Sequence, residues 1–112
     1  MGHATESIED VFRTLSDPTR RRVVERLSRG PASVSELAER FDMALPSFVE
    51  HLRVLEGSGL VRSSKEGRVR TYRLVPRRLA VAEHWLVRQR GIWERRLNQL
   101  DSYLNQLKEK NS

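Results

Sequence analysis

The chain has 112 residues, carries a formal net charge of +6 and contains no cysteine. This length suits one domain, and a chain without thiols holds no disulfide, thiolate metal site or cysteine nucleophile. The longest uninterrupted apolar run covers residues 79–82, which is too short for a membrane span or a signal-peptide core. We therefore expect a cytoplasmic protein with no membrane partner.

The excess positive charge lies in one segment. Seven basic residues and one acidic residue fall between positions 61 and 78, and the other 94 residues contain 14 basic and 14 acidic side chains. A basic footprint confined to one stretch indicates an anionic partner. Nucleic acid is the first candidate for that partner, and an anionic lipid surface is the second.

Two short helices are predicted at the start of the chain. Apolar residues at i, i+3, i+4 and i+7 form one stripe on the first helix: Ile8, Val11, Phe12 and Leu15. Asp17 and Pro18 predict the N-cap and first turn of the second helix, which ends before Gly30. The arginine run 20–22 spreads around this helix, so we expect a solvated face with at most one phosphate contact.

A pair of helices separated by a short turn follows. Ser33 and Glu36 have the spacing of a capping box, which predicts a third helix over about 34–41. A fourth helix is predicted over about 45–57, ending at the glycines 57 and 59. Its inward face carries Phe48, Leu52 and Leu55.

Beyond Gly59 the spacing of the apolar residues changes from that of a helix to that of a strand. Two strands joined by a tight turn at Glu66–Gly67 predict a β-hairpin over about 60–75, and a long helix over about 77–110 follows. We therefore expect one mostly α domain over 1–112 in the order α-α-α-α-β-β-α. This is the layout of a winged helix-turn-helix, with the third helix supporting, the fourth recognising DNA and the hairpin forming the wing.

The long helix carries a heptad seam. Its apolar residues are spaced 4, 3, 4 and 3 apart from Trp93 onward, with one more a heptad earlier: Leu86, Trp93, Leu97, Leu100, Leu104 and Leu107. Such a seam needs a partner, which predicts pairing with a second copy of the chain. Pairing with the first helix of the same chain is the alternative, and both arrangements can hold together.

The predicted DNA contacts lie on the outer face and flank of the fourth helix and in the wing: Pro46, Ser47, Glu50, His51, Arg53, Lys65, Arg68 and Arg70. Ser47 and Arg53 can donate to phosphates or bases, whereas the Glu50 carboxylate repels phosphate unless it accepts from a cytosine amino group. His51 either touches phosphate or packs at the helix edge. The hairpin tip projects its cations without acidic partners, which favours phosphate or minor-groove contact.

Several segments resemble the ArsR/SmtB family of transcriptional regulators. Residues 15–21, Leu-Ser-Asp-Pro-Thr-Arg-Arg, are similar to the family's opening motif, and residues 34–38 to its supporting helix. Residues 51–61 resemble the end of the recognition helix and the turn after it, and residues 66–68 resemble the wing. The resemblance covers residues 8 to about 74. It implies a homodimeric bacterial DNA-binding repressor whose first and last helices form the interface, which adds three residues to that interface: Ile8, Val11 and Phe12.

The chain departs from the metal-sensing members of this family. Those members use cysteines in the supporting helix, or Asp and His pairs on the last helix. Here residues 36–39 are Glu-Leu-Ala-Glu and the last helix has only His84 beside Glu83, whereas a closed zinc site needs four ligands. We therefore expect a metal-independent member without cofactors. Ala44 and Val49 replace groups that often contact DNA in the family, which leaves the operator sequence open.

The predicted function is a homodimeric repressor that binds a palindromic operator, with the recognition helix in the major groove and the wing on the backbone or minor groove. The alternatives are an architectural or RNA-binding protein without sequence preference, and a protein-interaction module that uses the last helix. Trp85 and Trp93 either line a pocket for an unidentified small-molecule effector or serve in packing. Three histidines and no glycine-rich phosphate loop offer no catalytic pair, so we expect no enzyme.

Overall fold

The computed structural model describes residues 8–111 and contains five helices and a three-stranded antiparallel sheet in the order β1-β3-β2. The elements are α1 (Ile8–Leu15), α2 (Pro18–Leu27), β1 (Ala32–Ser33), α3 (Val34–Ala38), α4 (Leu45–Gly57), β2 (Val61–Glu66), β3 (Val69–Leu74) and α5 (Pro76–Lys110). The predicted fold class is confirmed. The described chain divides into two compact units, the first ending at Ala82 and the second beginning at Glu83, and the boundary falls inside α5.

The core of the first unit is built from the inward faces of the helices and the base of the sheet. Its buried apolar residues are Val11, Val23, Val24, Leu27, Ala32, Leu37, Phe48, Leu52, Leu55, Leu60, Val61, Tyr72 and Ala82. The predicted inward residues of α4, Phe48, Leu52 and Leu55, belong to this core. Burial of these side chains provides the main driving force for folding of this unit.

The stripe of α1 divides between the core and the surface. Val11 is fully buried and Thr14 is nearly so, while Phe12 is 37% exposed and Ile8 is half-buried. A side chain with no exposed surface in the protomer cannot contact a second chain. The prediction that Val11 lies in the dimer interface is therefore wrong, whereas Ile8 and Phe12 keep surface for that role.

A short strand before the supporting helix was not predicted. Ala32 pairs with Tyr72 and Ser33 with Thr71, so β1 attaches the start of α3 to the sheet. The predicted capping box is present, because the Glu36 amide donates to Ser33 Oγ at 3.1 Å and the Ser33 amide donates to Glu36 Oε1 at 2.8 Å. These bonds fix the point where the strand becomes a helix.

The supporting helix is shorter than the predicted span of 34–41. It ends at Ala38, after which the amide of Arg40 bonds to Leu37 O and that of Phe41 to Ala38 O. These three-residue turns tighten the chain. They bring the Phe41 ring to 4.9 Å from that of Phe48 on the recognition helix, so the early end of α3 lets Phe41 pack on α4.

The wing is a regular hairpin. Its register runs from Val61 opposite Leu74 at the base to Glu66 opposite Val69 at the tip. Gly67 in the turn has a φ of +63°, a conformation that glycine adopts without the steric penalty of a Cβ atom. Tyr72 is buried at the base, whereas the outer half of the hairpin is exposed.

The second unit consists of α5 from Glu83 onward. None of its described residues, 83–111, is buried. Large apolar side chains on this stretch are exposed, among them Trp93 at 61% and Leu97 at 55%. An exposed apolar seam of this length along one helix agrees with the expectation of a partner for it.

Candidate nucleic-acid interface

The recognition helix α4 has opposite apolar and polar faces. Phe48, Leu52 and Leu55 are buried, while four of the predicted DNA contacts on this helix are exposed: Pro46, Ser47, Glu50 and Arg53. The helical period puts these two sets on opposite sides. The structure therefore brings the predicted contacts together on one outer surface of α4.

Glu50 and Arg53 form a two-bond ion pair on this outer surface. Arg53 Nε donates to Glu50 Oε1 at 3.0 Å, and Arg53 Nη2 donates to Glu50 Oε2 at 2.7 Å. The hydrogen bonds from Arg53 hold the pKa of Glu50 below its ordinary value. The same pair raises the pKa of Arg53. Both groups stay charged at neutral pH, and each fixes the orientation of the other.

His51 attaches the recognition helix to the junction between α1 and α2. Its Nδ1 atom lies 3.2 Å from Arg20 Nη1 and 3.7 Å from Asp17 Oδ2, and its side chain is 24% exposed. Arg20 in turn donates from Nε to Thr14 O at 2.7 Å. Of the two roles predicted for His51, these contacts favour packing at the helix edge. The Nδ1 edge of the ring is occupied within the protein.

Asp17 is the N-cap of α2 and lies beside His51. Its Oδ2 atom accepts from the Arg20 amide at 3.0 Å, as the sequence predicts. Desolvation favours the neutral carboxyl group, but this hydrogen bond and the electrostatic effects of the nearby His51 and Arg20 side chains outweigh it and lower the pKa of Asp17. The cap therefore remains ionised at neutral pH and also serves the positioning of α4.

The other two arginines of the run bind backbone carbonyl groups. Arg21 Nη1 donates to Leu15 O at 2.8 Å, at the end of α1. Arg22 Nη2 donates to Arg40 O at 3.2 Å, and its guanidinium lies 4.4 Å from the centre of the Phe41 ring. Arg21 and Arg22 are exposed, in agreement with the predicted solvated face, and they also make bonds within the protein that the sequence did not predict. The arginines of this run join α1, α2 and the turn after α3.

The wing presents the predicted cations Lys65, Arg68 and Arg70 on exposed positions near the turn. Lys65 lies directly opposite Arg70 in the strand register, and Arg62 lies directly opposite Arg73. Like charges at directly opposed strand positions destabilise a hairpin. Within the described chain, Lys65, Arg68 and Arg70 have no ion pair with a carboxylate. The wing, whose one acidic residue is Glu66, therefore concentrates positive charge on these three side chains.

A chain of hydrogen bonds joins the wing to the recognition helix. Ser63 Oγ donates to Glu56 Oε2 at 2.8 Å, the Ser63 amide donates to the same oxygen at 3.2 Å, and Arg70 Nη1 donates to Ser63 Oγ at 2.8 Å. Burial, followed by the charge of Glu56, raises the pKa of Tyr72 beneath them. Glu56 and Ser63 were not predicted as site residues. The hairpin register puts Ser63 and Arg70 on one face, which is the signal that could have identified them.

Gly59 and Arg78 connect the end of α4 to the start of α5. Arg78 donates to Ser58 O from Nε at 3.1 Å and from Nη2 at 3.0 Å. A Cβ atom on Gly59 would lie 3.0 Å from Arg78 Nε, and the φ of Gly59 is +83°. The glycine therefore supplies both the turn and the room for this guanidinium. It fixes where the base of the wing begins.

The predicted dimer residues of α5 are all exposed. Leu86, Trp93, Leu97, Leu100 and Leu104 have exposed fractions between 48% and 61%. Trp85 is 38% exposed and Trp93 is 61% exposed on the protomer surface, so neither ring lies in a closed pocket of the protomer. A ligand pocket at the two rings stays a prediction.

The described residues hold no cluster of three or more potential metal ligands among His, Cys, Asp and Glu. No helix among them is long and apolar enough to cross a membrane. His84 is exposed on α5.

Comparisons with known proteins agree with this geometry. A family model described as a helix-turn-helix domain matches residues 15–64. The HTH-type transcriptional regulator Rv2034 of Mycobacterium tuberculosis is 40% identical over 74 residues, covering 66% of this chain and 69% of that protein. The transcriptional repressor SdpR of Bacillus subtilis is 29% identical over 80 residues, covering 71% of this chain and 89% of that protein.

Solved structures give the same result. The crystal structure of the ArsR family transcriptional regulator RHA00566 has a TM-score of 0.74 and 53% sequence identity, and covers 78% of this chain and 96% of that chain. An ArsR-like transcriptional regulator from Rhodococcus sp. RHA1 has a TM-score of 0.71 and 35% identity, and covers 89% of this chain and 93% of that chain. These relatives are regulators, in agreement with the prediction that the chain is not an enzyme. The chain belongs to the ArsR family of winged helix-turn-helix, DNA-binding transcriptional regulators.

Proposed function

We propose that the protein is a homodimeric repressor of the bacterial cytoplasm that binds a palindromic operator. Each recognition helix enters a major groove through the outer face of α4, and each wing lies on the adjacent backbone or minor groove. The single observation that carries this proposal is the positive charge concentrated on the wing beside the polar outer face of α4. In a member of this family, a polar outer face of α4 beside a cationic wing suits the major groove and the phosphate backbone of a DNA duplex.

The charge arrangement of the wing supports contact with phosphate. Lys65 opposite Arg70 and Arg62 opposite Arg73 each place two cations at neighbouring positions, which lowers the stability of the free hairpin. Phosphate oxygens between such cations remove the repulsion and release bound counterions. The outer face of α4 includes Glu50 and has no comparable excess of positive charge, so the wing supplies much of the electrostatic attraction to DNA.

The second unit supports the proposed dimer. Its seam leaves apolar side chains exposed along the helix, and a self-complementary seam is covered by a second copy under two-fold symmetry. Two-fold symmetry places two recognition helices in successive major grooves, which requires a palindromic site. The name of the relative SdpR, a transcriptional repressor, supports repression by occupying a promoter.

Selection of bound duplexes from a random DNA library tests this proposal directly. We expect a palindromic consensus with half-site centres about 10 base pairs apart, or a multiple of that spacing. The recovered site should bind about 10³-fold or more tightly than unrelated duplex. Recovery of no consensus would support an architectural role, and stronger binding to RNA would support an RNA-binding role. Either result contradicts the repressor.

Replacing Arg68 and Arg70 with alanine is expected to weaken binding to every duplex by a similar factor. Contacts to phosphate carry no base information, so the operator and unrelated DNA lose affinity together. The slope of log K against log salt should fall by about 0.9 for each phosphate that the variant no longer binds. Fluorescence anisotropy titrations between low and moderate salt measure both quantities.

The matched control replaces Lys108 and Lys110 with alanine at the far end of α5. This variant removes the same amount of charge outside the wing, so its salt slope should equal that of the unaltered protein. An unchanged slope for the variant lacking Arg68 and Arg70 would show that these side chains do not bind phosphate.

A further inference from the structure

We infer that Glu50 is a positioning residue that orients Arg53 to read a guanine in each half-site. This inference rests on the proposed function, because it assigns one base pair of the operator that the recognition helix contacts. It explains why an acidic side chain stands on the face of α4 that meets DNA. The observation behind it is the two-bond ion pair between the two residues.

The ion pair uses only one edge of the Arg53 guanidinium. Nε and one hydrogen of Nη2 are directed to the two oxygens of Glu50. The remaining donors are both hydrogens of Nη1 and the second hydrogen of Nη2, and the end edge of the planar group is formed by this Nη2 hydrogen and one of the two Nη1 hydrogens. Two parallel donors at this edge match the O6 and N7 acceptors of guanine in the major groove.

The direction of the pair suits contact with bases. Glu50 lies one turn before Arg53, so it draws the guanidinium toward the N-terminal half of α4. Recognition helices make their base contacts mainly through that half. The carboxylate also lies on the same outer surface, where its charge disfavours a phosphate beside the guanidinium. Both effects direct Arg53 to a base edge and away from the backbone.

The pair also bears on the alternative in which Glu50 reads cytosine itself. Each of its two oxygens already accepts a charged hydrogen bond from Arg53. The side chains are 56% and 75% exposed for Glu50 and Arg53, respectively, so the more exposed group is the arginine. A guanine contact by Arg53 and a cytosine contact by Glu50 therefore predict different consequences when one partner is removed.

The test measures base preference for three variants, E50A, R53A and E50A/R53A. Each variant is titrated with the selected operator and with duplexes in which one base pair of one half-site is replaced in turn. We expect the unaltered protein to prefer guanine at one position by about 5- to 150-fold. R53A should lose that preference, E50A should lose most of it, and the double variant should lose no more than R53A alone.

Three further measurements separate orientation from charge. E50A should bind unrelated duplex at least as well as the unaltered protein, because a negative charge has been removed. The control E66A removes an acidic side chain at the end of β2 and should keep the full guanine preference. Replacing the guanine with 7-deazaguanine removes the N7 acceptor, which should weaken binding by the unaltered protein about tenfold and leave R53A unaffected.

Three outcomes overturn the inference while the repressor stands. They are an E50A variant that keeps the guanine preference, an R53A variant that keeps a preference while E50A loses it, and an R53A variant that loses affinity equally for all duplexes. The last two results assign cytosine reading to Glu50 and phosphate binding to Arg53. If the unaltered protein shows no base preference at any position, the proposed function fails as well.

Discussion

Replacing Leu97 and Leu104 with glutamate is expected to separate the proposed dimer into monomers and to reduce operator affinity by about 10³-fold or more. Both leucines lie on the seam of α5, where they are 55% and 48% exposed in the protomer. In a paired helix each would be buried against its symmetry mate. Two carboxylates per chain would then face two others in an apolar interface, at a cost in desolvation and repulsion that the remaining apolar contacts cannot offset.

Loss of the dimer reduces affinity because the two half-sites are then bound in two independent events. In a dimer, binding of one recognition helix holds the second next to its groove at a high effective concentration. A monomer retains only the contacts of one helix and one wing. Sedimentation equilibrium measures the association state, and anisotropy titration with the full operator and with a single half-site measures how far the two half-sites still cooperate.

A control of equal charge uses the neighbouring polar positions of the same helix. Asn98 and Asn105 follow the two leucines by one residue, which places them outside the seam. Their replacement with glutamate should leave the dimer and its operator affinity unchanged. If the leucine variant sediments as a dimer, the seam is not the interface. If it is a monomer with full operator affinity, the protein does not need two half-sites.

The features that the sequence predicted well have strong local signals. The recognition helix has the predicted bounds, residues 45–57, because three large apolar residues define its inward face and glycines end it. The capping box of Ser33 and Glu36 is local for the same reason. Both depend on residues within a few positions of one another, so their geometry follows from the local sequence.

The features that the sequence did not predict depend on contacts between distant segments. Helical period identifies Val11 and Phe12 as members of one stripe but does not say that Thr14 completes the buried side in place of Phe12. The strand β1 has only two residues, too few for a period, and exists through pairing with β3. Each outcome was decided by which element packs nearby.

The interface itself shows the same division. Exposure of Glu50 and Arg53 followed from the helical wheel, but their mutual bonding gave them a shared role that neither residue type indicates alone. Arg20 is part of a motif that marked the family, and its contacts with Thr14 and His51 give that motif a physical purpose. It holds α4 at a fixed position on the core. The stability of that core therefore controls the geometry of the DNA-binding surface.

The core beneath the recognition helix can be weakened by Phe48→Ala, which is expected to reduce the free energy of unfolding by about 3–5 kcal/mol. Phe48 is 1% exposed, and the centre of its ring lies 4.9 Å from that of Phe41, with the two ring planes tilted by 36°. Truncation leaves a cavity beside Phe41, because the surrounding core relaxes only partly. A domain of this size has a total stability of about 5–15 kcal/mol, so the reduction is a large part of the whole.

The exposed neighbour of Phe48 supplies a matched control. Val49 is 42% exposed on the same helix, and Val49→Ala should change stability by no more than about 0.5 kcal/mol. Urea unfolding followed by circular dichroism, at one fixed protomer concentration because dimer stability depends on it, measures both variants. Equal midpoints for the two would mean that Phe48 is not a core residue. A Phe48→Ala protein that remains folded but loses operator affinity, with its wing-dependent binding to unrelated DNA intact, would show that this ring positions α4 for base contacts.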